Sequence, residues 1–130
     1  ASGERRPFRH VPLVGDVAAG TDVLAEQNVE EIMPVPTDLC GDGELFMLRV
    51  RGDSMIDADI NDGDTVIVEP GQPKHGDIVA ALIDGETTLK RLIKQGGKVF
   101  LKAENKNYPD LMPVNELVIQ GLAKTVMRRI

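Results

Sequence analysis

Apolar residues in this chain come in short runs bounded by turn-forming residues, with no sustained helical stripe, and this pattern predicts a mostly β domain of antiparallel sheets and hairpins. Val11 to Val17 reads as a first strand, and Gln27 to Pro36 as a second of alternating character, closed by Pro34 and Pro36. Leu45 to Arg51 is a more apolar third strand, and Thr65 to Glu69 a fourth. Thr37 to Gly43 is a turn-rich connection, and Ala18-Ala19-Gly20-Thr21-Asp22 is small and polar, as suits an exposed loop. Residues 1–10, polar and basic with Arg5, Arg6 and Arg9, read as a linker, so residues 11–130 form the expected domain.

The segment from Gly76 to Glu104 carries two turn dipeptides, Asp84-Gly85 and Gly96-Gly97, that suit two-residue hairpins with positive φ. If both are such turns, the segment is a three-stranded meander whose register can be counted. Ile83 faces Glu86, which sets Lys90 against Val79; Gln95 faces Lys98, which sets Lys90 against Ala103. Because side chains alternate, Lys90 shares its face with Thr88, Leu92, Val79, Ala81, Leu101 and Ala103, while Arg91 and Lys102 occupy a solvated opposite face. A lone lysine on an apolar face has three explanations: a register error, a side chain snorkelling at the sheet edge, or a group kept for chemistry.

The third strand ends at Gly52, where backbone angles closed to other residues become available, and two residues later the chain presents Ser54. Ser2, in the polar N-terminal segment, is the one other serine in the chain. A Gly-Asp-Ser taken alone is most often a surface turn. Lys90 changes that weighting. An ammonium taken out of water without a carboxylate partner loses part of its preference for the charged form, and a neutral amine can serve as the general base that a serine hydroxyl needs to become a nucleophile. Ser54 and Lys90 therefore make a coherent dyad. Other nucleophile systems fit less well. The residues around Ser54 lack the second glycine of a hydrolase elbow, and no lysine stands three residues after it. His10 lies in the predicted linker and His75 in a turn, while Cys40 sits in an acidic glycine loop.

Composition narrows the partners. The chain has 130 residues, with 15 Lys and Arg against 21 Asp and Glu, and a net charge of -6 disfavours direct contact with a phosphate backbone. A single cysteine excludes an internal disulfide and fits a reducing compartment, so the expectation is a cytoplasmic location. No run reaches the roughly 18 apolar residues of a membrane span, and no signal-peptide pattern is present. The chain begins Ala-Ser-Gly-Glu without methionine, as expected of a piece of something longer. Asp57 to Asp64 alternates oxygen ligands like a calcium loop, but Asp62 and Val68 stand where glycine and a bidentate glutamate are needed, so neither metal nor cofactor is expected. Arg51-Gly52-Asp53 spells an adhesion tripeptide by chance.

Val50-Arg-Gly-Asp-Ser-Met55, Asp62-Gly-Asp64, Thr88-Leu-Lys-Arg-Leu92 and Val17-Ala-Ala-Gly20 together resemble the Ser-Lys self-cleaving peptidases, the family of LexA repressors, lambda-type phage repressors and the UmuD polymerase accessory protein. The resemblance covers Val11 to Ile130 and implies a signal-peptidase-like β fold. It also implies Ser54 as nucleophile, Lys90 as general base and Ala19-Gly20 as the bond cut. Small residues flanking that bond allow close approach, and the backbone amides of Ser54 and Met55 are the expected oxyanion donors. The resemblance further implies a bacterial SOS-response repressor, derepressed when RecA filaments on single-stranded DNA stimulate self-cleavage. Operator DNA would be bound by an N-terminal domain that is absent here, and a homodimer would form through the C-terminal strand within Leu117 to Met127. An Ala-Gly bond and the ending Ile119-Gln-Gly-Leu-Ala123 favour the LexA branch, with the polymerase accessory branch and a non-cleaving dimerisation module as alternatives. A signal-peptidase-like enzyme acting on other chains would require a membrane anchor.

Overall fold

Val66, Ile67 and Val68 are consecutive and all fully buried, so the strand that carries them is covered on both faces. In the computed structural model, which describes residues 7–17, 21–83, 86–112 and 117–130, that strand belongs to an eight-stranded sheet. The strands are β1 (Phe8–Val14), β2 (Val29–Pro36), β3 (Phe46–Arg49), β4 (Thr65–Glu69), β5 (Ile78–Ile83), β6 (Glu86–Gln95), β7 (Lys98–Lys102) and β8 (Leu117–Met127). Their order across the sheet is β2-β1-β3-β4-β8-β5-β6-β7. Neighbours are antiparallel except β1 and β3, which pair in parallel at Leu13 with Met47 and Val14 with Leu48. The mostly β expectation is met, with this one parallel pair added to it. Among the described residues, no helix is long and apolar enough to cross a membrane.

Alternation along the strands sorts the core. Phe46, Leu48, Val66, Val68, Ala80 and Leu89 point to one face and gather with Met55 and Ile60. On the opposite face Met47 and Ile67 pack with Val11, Leu13 and Val35, and Val79, Ala81, Leu92, Leu101 and Leu122 form a third cluster.

The counted meander register holds at each described pair. Val79 faces Lys90 and Ile83 faces Glu86; Gln95 faces Lys98, and Gly96 and Gly97 have φ of 57° and 77°. Asp84 and Gly85 lie outside the described residues. The ladder between β6 and β7 ends at Arg91 with Lys102, so Ala103 is not a ladder partner of Lys90. The face opposite Lys90 is not simply solvated. Leu89 and Ala80 are buried there, and Arg91 is half-buried against Glu104.

Expected boundaries change at three strands: β2 begins at Val29, after a 3-10 turn at Glu26–Asn28, and not at Gln27; β3 is Phe46–Arg49 and not Leu45 to Arg51; and β1 moves at both ends. The first strand begins at Phe8, inside the expected linker, because Arg9 and His10 pair with Val35 and Pro34, and Arg9 also donates to the Gly41 carbonyl at 2.7 Å. It ends at Val14, not Val17. Pro34 and Pro36 lie within β2 because β2 is an edge strand, where a missing N–H costs nothing.

β8 runs from Leu117 to Met127 as expected, but inside the sheet. Leu117 to Gly121 pair with β5, and Ala123 to Met127 with β4; Leu122 pairs with both. Gly121 sits at the crossover, where an added Cβ would lie 2.5 Å from Val68 Cγ1 and 2.8 Å from the Glu69 carbonyl oxygen. Gly121→Ala is expected to cost about 1–3 kcal/mol through overpacking, read as a lower urea midpoint at unchanged slope.

Candidate active site

The connection from β3 to β4 is closed at its base by two backbone hydrogen bonds. Val50 N–H donates to Asp64 O at 2.8 Å, and Gly63 N–H donates to Val50 O at 2.8 Å. Gly52 turns the chain with φ of 83°, and its N–H donates to Asp62 Oδ1 at 2.7 Å. Met55 anchors the loop in the core at 2% exposure, directly before a single 3-10 turn, Ile56–Ala58. Ser54 stands between the glycine turn and this anchor, half-buried.

Asp64 is 1% exposed, and both of its oxygens are engaged. Arg128 Nε donates to Oδ1 and Arg128 Nη2 to Oδ2, each at 2.7 Å, while Asn61 N–H donates to Oδ2 at 2.7 Å. The Arg128 hydrogen bonds, aided by Asn61, hold the Asp64 carboxyl below its ordinary 3.8 despite burial. The acidic run that mimics a calcium loop thus has a structural use: Asp62 holds the Gly52 turn and Asp64 takes Arg128, the residue that follows β8.

Lys90 reaches this loop from β6. It is 8% exposed, and its Nζ lies 3.2 Å from Ser54 Oγ, 2.7 Å from Thr88 Oγ1 and 3.1 Å from the Leu89 carbonyl oxygen. Among the described residues no carboxylate pairs with it. Burial pushes its pKa below the ordinary 10.5. A neutral amine has two N–H donors and one lone pair. The Leu89 carbonyl can only accept and the Thr88 hydroxyl can accept, which matches the two donors and leaves the lone pair for the hydroxyl of Ser54.

Ser54 and Met55 line a cleft of about 490 Å³ that also takes in Asp16, Val17, Thr87 and Thr88. No described group accepts a hydrogen bond from the Ser54 or Met55 amide, whereas Ile56 N–H donates to Asp53 O at 3.3 Å. Ala19 and Gly20 lie outside the described residues. Their flanks are described: Val17 lines the cleft, and Val17, Val23 and Leu24 pack against the cluster that contains Met55.

The other residues weighed for chemistry lie elsewhere. His10 faces Pro34 in β1, His75 Nδ1 accepts the Lys94 N–H at 3.0 Å, and the Cys40 thiol donates to Pro36 O at 3.6 Å. Sequence reasoning missed Glu104, Asn105, Tyr108 and Arg128, which brace the Ser54 loop from distant parts of the chain. The Asn105-Lys-Asn107 turn after an apolar strand was a visible signal, since asparagine caps such turns, but its target was not.

A serine hydroxyl and a buried lysine amine thus meet beside a cleft of a mostly β fold, as they would in a serine peptidase. The chain belongs to the Peptidase S24-like family, whose model matches residues 12–123. It is 50% identical over 123 residues to a LexA repressor of Streptomyces avermitilis, which covers 93% of this chain and 52% of that protein. A LexA repressor of Frankia casuarinae is 47% identical over 130 residues, covering 98% and 50% of the two chains, and one of Mycolicibacterium smegmatis is 48% identical over 121 residues, covering 92% and 49%. The chain therefore spans about half the length of the curated relatives it matches. These matches bear out the resemblance drawn from the motifs.

Proposed function

We propose that this chain is the self-cleaving part of a LexA-type repressor and that it cuts its own Ala19-Gly20 bond. The observation that carries this reading is the 3.2 Å approach of a buried, carboxylate-free Lys90 Nζ to Ser54 Oγ. Neutral Lys90 takes the hydroxyl proton as Ser54 Oγ attacks the Ala19 carbonyl carbon. The amides of Ser54 and Met55, which have no acceptor among the described residues, receive the oxyanion. Lys90 then gives its proton to the Gly20 nitrogen as the C–N bond breaks. Water, deprotonated by the same amine, releases the Ala19 carboxylate from Ser54. Val17 lines the Ser54 cleft, and Val23 and Leu24 pack on the cluster that contains Met55, which supports a reaction that gains from intramolecular proximity.

The wider role is the repressor's. Cleavage would detach this part from an operator-binding part, derepressing damage-repair genes in the bacterial cytoplasm, with the RecA filament on single-stranded DNA as the stimulus. Homodimerisation through β8 is supported by its half-used edges, since each half of the strand is paired on one side only among the described residues.

Incubation of the purified chain at alkaline pH tests the central step. Intact mass should show two fragments divided between Ala19 and Gly20, appearing with a first-order rate independent of protein concentration. A rate proportional to concentration would point to cutting between molecules. Persistence of the whole chain would leave a non-cleaving dimerisation module as the better reading.

A further inference from the structure

Ser54 and Lys90 come from different halves of the sheet. Ser54 lies on the connection between β3 and β4, and Lys90 on β6, so the ladder joins them only through β4, β8 and β5 in turn. Small shifts at each step would add up at the site. The short segment after β7 bypasses that route. Asn105, 6% exposed, donates from Nδ2 to the Asp53 carbonyl oxygen at 2.9 Å, and its Oδ1 accepts the Asn107 N–H at 3.0 Å. The Tyr108 hydroxyl donates to the Asp53 carboxylate. On the other side of Ser54, Asp57 N–H donates to Glu104 O at 2.8 Å. The Glu104 carboxylate pairs with Arg91, the neighbour of Lys90 on β6, and Arg91 also donates to the Gly76 carbonyl.

The bond from Asn105 has a directional effect. The peptide joining Asp53 to Ser54 is planar and trans, so its carbonyl oxygen and its N–H point in opposite directions. The Asn105 bond at 2.9 Å, shorter than the Ile56 N–H bond to the same oxygen at 3.3 Å, therefore aims the Ser54 N–H away from Asn105 and resists this peptide's turning over. Asparagine suits the position because it must donate to Asp53 and accept from Asn107 with the same buried amide.

We propose that Asn105, seconded by Tyr108 and Glu104, is a positioning residue that locks the Asp53-Ser54 peptide, and with it one oxyanion donor, against the strand that carries Lys90. This rests on the reading of Ser54 and Lys90 as the cleaving pair. Asn105 touches neither the hydroxyl nor the amine; it acts through the peptide between Asp53 and Ser54.

The test measures first-order self-cleavage of Asn105→Ala and the parent across pH, by intact mass, together with thermal midpoints. The expected result is a high-pH plateau rate lower by about tenfold to a hundredfold, with the pH midpoint of the profile unmoved. A merely structural role would instead loosen the site, hydrate Lys90 and carry the midpoint upward toward that of an ordinary lysine. That outcome overturns the proposal, as does a plateau within about twofold of the parent. Should Asn105→Ala fail to fold, Tyr108→Phe, which removes one exposed hydroxyl, decides. A lowered plateau at an unmoved midpoint supports the lock, and a parental plateau overturns it. Failure of the parent to cleave, or cleavage by Ser54→Ala, would sink the Ser-Lys reading itself and is told apart by those controls.

Discussion

Ser54→Ala and Lys90→Met chains are expected to stay whole under alkaline conditions that cut the parent completely. Removing Ser54 Oγ removes the atom that would form the ester with the Ala19 carbonyl carbon. Removing the Lys90 amine leaves a serine hydroxyl without a base, a loss of about 10²–10⁴ in rate. The two variants should part company in stability. Lys90→Met exchanges a desolvated cation for an apolar side chain of similar length among Val79, Ala81 and Leu92, while orphaning the Thr88 hydroxyl and Leu89 carbonyl that the amine now satisfies. The balance is expected to be neutral to about 2 kcal/mol more stable, read by urea unfolding. A Lys90→Met chain that is cut at the parental rate would remove the amine from the mechanism.

The pH profile is the second large effect. The neutral amine is the active form, and burial lowers its pKa below 10.5, so the cleavage rate should climb roughly tenfold per pH unit below that lowered pKa and level off above it. Stability carries the same signature with a definite sign. Between the lowered folded pKa and 10.5 the unfolded chain binds more protons at Lys90 than the folded one, so this group's contribution to stability rises with pH across that window. Below the window the penalty for burying the ammonium is constant. Parallel urea titrations of the parent and Lys90→Met should therefore converge as pH rises through the window. A flat rate profile, or a Lys90→Met chain that keeps the parent's slope, would contradict this account.

Most of what places Lys90 was legible in the sequence, because hairpins are local. Gly96-Gly97 fixes β6 against β7, and counting outward from the pair of Ile83 and Glu86 sets Val79 opposite Lys90. The Ser54 loop announced itself through Gly52 and the apolar run before it. What could not be read depends on partners far along the chain. Arg9 looks like linker until it bonds Gly41, and β1 therefore begins earlier than its apolar residues suggest. Asn105 and Tyr108 look like an ordinary polar turn until the fold brings Asp53 to them. Arg128 belongs to a basic chain end whose value lies in a carboxylate buried on the β3–β4 connection. Burial on both faces hid the side of the meander opposite Lys90, since alternation alone does not say what else will pack there.

The split pairing of β8 bears on when the chain can begin to act. Of the eight described strands β8 is the last to be made, and among the described residues it alone joins the ladder of β2, β1, β3 and β4 to that of β5, β6 and β7. Until this strand arrives, the serine and the lysine of a nascent chain would stand on two pieces of sheet whose ladders are not joined, bridged by the bonds that Glu104, Asn105 and Tyr108 make. On the proposed reading, synthesis would then carry its own safety interval, with the serine and the lysine fully braced only once the chain is made through Met127.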